Sequence, residues 1–186
     1  MEAQAIQTLT KILARRKLDT TVTAVGPGQY TIGSIKVALL SAGGATNRSV
    51  IDNAVEEHSK PLILISPSPP SKLVRAHMRN YVKDGVQLFH LKQLQFDILT
   101  HKKYGFPCRI LTADEKSALL ENLRVSSPMR LPRISFDDPY SLWLGAKPED
   151  VLEFEIPSEA AGWSKKYRYC VLDVEESTEE ANVEEE

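Results

Sequence analysis

IKVALLSAGGATNRSVIDNAVEEHSKPLILIS, residues 35–66, is the stretch that decides the fold. IKVALL (35–40) and LILIS (62–66) are short, almost wholly apolar runs of strand length, the pattern of strands covered on both faces. Between them Asn47 offers a side-chain oxygen that can cap a helix running through about His58. Strand, helix, strand is the order of a parallel crossover. Upstream, Ile6, Leu9, Ile12 and Leu13 recur at helical spacing over residues 5–17, and Arg15, Arg16 and Lys17 suit a helix C-terminus. A turn-rich stretch around Gly26, Pro27 and Gly28 separates that helix from the first strand. Downstream, SPSPP (66–70) leads into a helix from Ser71 that ends before Gly85, followed by strand-like VQLF (86–89) and FDIL (96–99). Residues 1–105 are therefore expected to form an α/β domain with a partly parallel sheet.

The second half has a different order. Thr112 and Glu115 have the spacing of a capping box for a helix over about 113–124, with Leu119, Leu120 and Leu123 on one side. LPRI (131–134) is a short strand candidate, and Asp138 before Pro139 starts a short helix that Gly145 ends. VLEFEI (151–156) and KYRYCVL (166–172) pair across SEAAG as a hairpin. Residues 106–172 thus read as a small α+β module.

The 186 residues carry 23 basic and 25 acidic side chains, a net charge of −2 that hides an asymmetry. Eight of the acids fall in DVEESTEEANVEEE (173–186), expected to be a disordered acidic tail. Residues 1–105 hold 14 basic against 7 acidic side chains, and 106–172 hold 9 against 10. A polyanionic partner would meet the first half. No run approaches the roughly 20 apolar residues of a bilayer span. The first 17 residues read as an amphipathic helix rather than a signal peptide, so a soluble, intracellular chain is expected.

The residues support no catalytic or metal chemistry. Gly26, Gly28, Gly33, Gly43 and Gly44 fit neither GxxxxGK[ST] nor GxGxxG and read as turn residues. His58, His77, His90 and His101 are scattered, with no i, i+4 pair and no nucleophile elbow. Cys108 and Cys170 lack CxxC spacing and read as reduced, packed thiols. Asp138 is better explained as a cap than as half of a carboxylate pair with Asp137. No cofactor, metal or enzymatic activity is expected. The sharper signal lies between Ser71 and Asp84. On one continuous helix Lys72, Arg75, Arg79 and Lys83 share a face, while Leu73, Val74, Met78, Tyr81 and Val82 lie opposite. The stripe suits a nucleic acid, read without base specificity, or an acidic partner, and equally suits a solvated helix face.

Residues 131–168 carry a more specific pattern: Leu131, Pro132, Arg133 and Ile134; Asp138 and Pro139; Leu144, Gly145 and Lys147; Val151; Ser158, Glu159 and Gly162; Tyr167 and Arg168. In order and spacing this resembles the C-terminal assembly module of the fifth-subunit family of eukaryotic and archaeal DNA-directed RNA polymerases. TADE after Pro107 is similar to the family's helix start, and VQLFHLKQLQFDILTH resembles the strand pair that closes the eukaryotic N-terminal domain. The resemblance implies a non-catalytic polymerase subunit. Its 106–172 module would dock on the largest subunit through Leu131, Pro132, Arg133, Ile134, Asp138, Pro139, Gly145, Lys147, Gly162, Tyr167 and Arg168. Its first domain would form part of the jaw beside downstream DNA, together with the other polymerase subunits.

The family pattern has glycine where Glu149 stands, basic residues at Glu153 and Ile156, arginine at Trp163, and a histidine near Cys108. With the acidic extension, these departures imply a virus-encoded or fast-evolving member. Its location would be nuclear in a cellular eukaryote, or the virion or viral factory. Arg133 and Arg168 have Asp137, Asp138 or Glu159 as candidate ion-pair partners. A free-standing DNA-binding regulator that reuses the module is the alternative.

Overall fold

The computed structural model describes residues 1–40, 46–101 and 105–172; Gly43, Gly44 and the acidic segment 173–186 lie outside these. The chain folds as two sheets with helices. The first sheet contains β1 (Val22–Gly26), β2 (Gln29–Ile32), β3 (Ile35–Leu39), β4 (Leu62–Ser66) and β5 (Val86–His90), in that spatial order. β1, β2 and β3 pair antiparallel, and β3, β4 and β5 pair parallel. The two parallel crossovers carry α2 (Arg48–Glu57) and α3 (Lys72–Met78), and α1 (Glu2–Arg15) precedes the sheet. All five residues of LILIS are buried. Ile63 and Ile65 face α1, while Leu62 and Leu64 face α2 and α3, which is why the run shows no polar alternation. The Asn47 side chain accepts from the Val50 N–H at 3.0 Å, as its position predicts.

The second sheet has the order β6 (Cys108–Ile110), β8 (Val151–Ser158), β9 (Gly162–Val171), β7 (Arg133–Ser135). Leu152, Phe154, Ile134 and Cys170 form a core on one face, and Val151, Tyr169 and Leu131 pack with α4 (Ala113–Asn122) on the other. The Thr112–Glu115 capping box forms in full. Asp138 caps α5 (Pro139–Leu144), and Gly145 ends it at φ 73°.

Three expectations need correction. FDIL is not a strand: residues 93–95 and 98–100 are 3₁₀ turns, so VQLFHLKQLQFDILTH holds one strand rather than a pair. Local side-chain chemistry wins there. Gln93 and His90 bond each other's backbone, and the Asp97 carboxylate caps the Leu99 N–H while accepting from Arg15. The stretch around Gly26 is a hairpin of β1 and β2 rather than a plain connection, with Gly28 at φ 70° in its turn. The third concerns the helix from Ser71, which is α-helical only to Met78 and continues as a 3₁₀ turn over Arg79–Tyr81. Leu73, placed by the projection on the packed side, is 65% exposed.

Packing joins the two units. Leu142 and Trp143 of α5 insert into the core formed by α1 and the first sheet, where Trp143 meets Phe89 edge to face at 5.7 Å. Truncating a large buried aromatic leaves a cavity. Trp143→Ala is therefore expected to lower the unfolding free energy by about 3–5 kcal/mol, read from urea denaturation followed by far-UV circular dichroism. A single transition should persist, because the residue belongs to a core that both units share.

Candidate docking and nucleic-acid surfaces

The motif residues of 131–168 separate into those that build the module and those that it presents. Leu131 and Ile134 are buried on opposite faces of the second sheet. The Pro132 carbonyl accepts from the Tyr169 N–H at 2.8 Å, which seats β7 beside β9. Asp138 accepts from the Tyr140 N–H at 2.9 Å, and burial raises its pKa. Pro139 opens α5, Gly145 closes it, and Gly162 turns the β8–β9 hairpin at φ 72°. Tyr167 donates to Glu153. Pro132, Arg133, Lys147 and Arg168 are exposed. Arg168 reaches across to the Arg133 carbonyl at 3.4 Å, which brings the Arg168 guanidinium to the outer strand of the sheet. Among the described residues neither pairs with Asp137, Asp138 or Glu159, contrary to the expectation. The nearest cation to Asp137 is instead Arg75, at 3.8 Å.

Glu153 is the feature that residue-by-residue reading missed. It is 5% exposed in the middle of β8, facing Arg109 of β6 and Tyr167 of β9 across the ladder. Its carboxylate accepts from Arg109 at 3.0 Å, from Tyr167 at 3.1 Å and from Lys165 at 3.3 Å. Arg109 also reaches Glu115, so the network ties the capping box of α4 to the sheet. Burial alone would push the Glu153 carboxyl up, but these hydrogen bonds outweigh it and hold the carboxyl below its ordinary value. The sequence offered two acids in the run VLEFEI, Glu153 and Glu155, with nothing local to mark the first as the buried one. Both cysteines are free, and burial pushes each thiol up to about 11, so neither is a reactive nucleophile at neutral pH.

The basic stripe is less uniform than a helical projection makes it. Lys72, Arg75 and Lys83 are exposed, whereas Arg79 is half-buried at the junction of α3 with its 3₁₀ extension. Arg75 faces Asp137 of the other unit. Met78 and Val74 pack beneath, as expected.

Residues 96–170 match the family model described as the C-terminal domain of RNA polymerase Rpb5. The chain is 43% identical over 79 residues to DNA-directed RNA polymerase subunit Rpo5 of Thermococcus onnurineus, covering 94% of that protein and 42% of this chain. It is 46% identical over 65 residues to the Pyrococcus abyssi subunit (78% of that protein, 35% of this chain). With the Aeropyrum pernix subunit identity is 40% over 74 residues (80% of that protein, 40% of this chain). The unit with the proline-seated edge strand, the aspartate-capped short helix and the long hairpin is thus similar to a domain of DNA-directed RNA polymerase subunits. The chain belongs to the fifth-subunit family of DNA-directed RNA polymerases. Residues 1–95 lie outside the matched model.

Two expected outcomes follow from this geometry. Glu149, where the family pattern has glycine, is exposed with φ 78°, a conformation that costs a residue with a Cβ about 1–2 kcal/mol. Glu149→Gly should therefore raise stability by about 1 kcal/mol, less the entropy that glycine loses on folding, as read from the urea midpoint. Because the folded pKa of Glu153 is depressed, its ionic contribution is present above the unfolded value near 4.5 and is lost as pH falls through the folded one. Glu153→Gln should cost about 1–3 kcal/mol at pH 7, and that difference should shrink as urea titrations are moved below pH 4.5.

Proposed function

We propose that this chain is a non-catalytic subunit of a multisubunit DNA-directed RNA polymerase. Residues 106–172 dock on the largest subunit, and residues 1–105 contribute to the jaw near downstream duplex DNA. One observation carries the docking half. Within the family block the buried motif residues are those that shape the module, and of the exposed ones Pro132, Arg133 and Arg168 gather at the outer strand β7 and its neighbour β9, while Lys147 lies in the turn before β8 and Glu159 and Gly162 at the tip of the hairpin. Exposed arginines on an unpaired sheet edge offer planar, bidentate donors and free backbone groups to a partner surface. The DNA-facing half rests on the 14 to 7 excess of basic over acidic side chains in residues 1–105 and on the exposed Lys72, Arg75 and Lys83.

The test is fractionation of native extract. The chain should elute with the largest polymerase subunit, far above its own 20.8 kDa. Arg133→Glu with Arg168→Glu should abolish that association while leaving circular dichroism unchanged. Elution as a small species would favour the free-standing regulator instead. Changing Lys72, Arg75, Arg79 and Lys83 to glutamine should also flatten the salt dependence of duplex binding, by about 0.9 log units per lost phosphate contact. An unaltered slope would make the stripe a solvated helix face.

A further inference from the structure

The second unit straddles the open edge of the first sheet. Asp137 reaches the α3 side at Arg75, while Leu142 and Trp143 reach the α1 side. Between these two holds lies a cleft of about 430 Å³ that runs along β5. β5 is the last strand of its sheet. Gly85, Val86, Gln87 and Leu88, residues from both faces of the strand, line the cleft together with Ile35, Pro61 and Ile63 at the starts of β3 and β4, so the cleft meets both the end of the sheet and the backbone edge of β5.

The register says which backbone groups those are. The Leu91 N–H donates to Ser66 of β4 at 2.8 Å, and in a parallel ladder alternate residues serve opposite neighbours. Gln87, Phe89 and Leu91 therefore bond β4, whereas Val86, Leu88 and His90 direct their N–H and C=O groups outward. The His90 N–H is closed by the Gln93 side chain at 3.1 Å. No backbone bond from the second unit reaches Val86 or Leu88 among the described residues.

We propose that this cleft binds an extended, acidic-flanked peptide segment of another polypeptide, which adds to β5 as a sixth strand. Only a peptide backbone offers donors and acceptors at the repeat that Val86 and Leu88 present. The walls above and below are apolar, with Met78 and Val82 from the α3 side and Phe136 and Pro139 from the second unit. The inserted residues are therefore apolar or β-branched. The charged residues that line the cleft are Arg16, which is half-buried, Arg75, which faces Asp137 at 3.8 Å, and Lys147, so cations outnumber the single acid and acidic flanks complement them. The chain's own 173–186 segment matches in charge but has runs of glutamate and only scattered valines where consecutive apolar or β-branched residues are needed.

The test uses the full-length protein and a fluorescein-labelled, amidated peptide Glu-Val-Thr-Val-Glu, followed by fluorescence anisotropy and amide exchange. Binding is expected, with slowed exchange at Leu88. N-methylation of the amides on one edge of the peptide should weaken binding about ten-fold, the worth of a lost hydrogen bond or two, while methylation on the other edge should leave it unchanged. Arg75→Gln with Lys147→Gln should weaken it several-fold. No binding, or equal binding by both methylated forms, overturns strand addition. Displacement about ten-fold better by a peptide copying 173–186 than by the unlabelled probe, a difference of about 1.4 kcal/mol, overturns a separate partner, since the occupant is then the chain's own terminus. Because no polymerase is present, these outcomes are independent of docking on the largest subunit.

Discussion

The Arg16 guanidinium is the point on which the arrangement of the two units depends. It lies just past the end of α1 and donates to the Leu142 and Trp143 carbonyls at the C-terminus of α5, and to the Gln87 side chain of β5 at 2.9 Å. A helix C-terminus has unsatisfied carbonyls and a partial negative charge, so a cation there answers both needs without a carboxylate. Burial lowers the Arg16 pKa to about 10, which leaves it charged at neutral pH and confines it to a place where every acceptor is supplied. One side chain thereby ties the first helix, the edge strand of the first sheet and the helix of the second unit.

The surrounding structure is shaped to admit that group. Gly145 takes φ 73° to end α5, a conformation that favours glycine, and a Cβ there would stand 2.9 Å from the Arg16 guanidinium carbon and push the guanidinium aside. Beside it Arg15 forms a two-pronged pair with Asp97, whose carboxylate also accepts from the Trp143 indole N–H at 3.3 Å. Burial would raise the Asp97 carboxyl, but Arg15 and the hydrogen bonds keep it below its ordinary value. The 3₁₀ turns that replace the expected strand at FDIL are those that bring Asp97 to this position. In this chain the glycine that ends α5 also leaves room for a contact with the first unit.

The same geometry sets what the surface presents. Straddling the sheet edge leaves a cleft on β5, orients Asp137 toward Arg75 and so modifies the basic stripe, and leaves β7 with Arg133 and Arg168 facing outward. The Glu153 network stiffens the module from within by tying β6, β8, β9 and α4 together. It stands where the family pattern has a basic residue, and it supplies its own cations from Arg109 and Lys165.

What was legible in the residues was local. Caps at Asn47, Thr112 and Asp138, the two buried strands of the crossover and the glycine that ends α5 each depend on groups within a few positions, and each was read correctly. The family pattern was also linear, since fixed spacing survives without knowledge of contacts. The β1–β2 hairpin was hidden because its strands are short and largely exposed, with Val25 61% exposed, so no alternation marks them. The roles of Arg16, Trp143 and Glu153 were invisible for a different reason. Arg16 and Trp143 are 127 positions apart, and the meaning of a charged or aromatic residue depends on what burial and hydrogen bonding bring against it. The sequence by itself determined the capped helices, the buried strands of the crossover and the family. Only the tertiary structure decided which arginine is buried as a clamp and which stands exposed at a sheet edge, because desolvation is a property of the packed site and not of the residue.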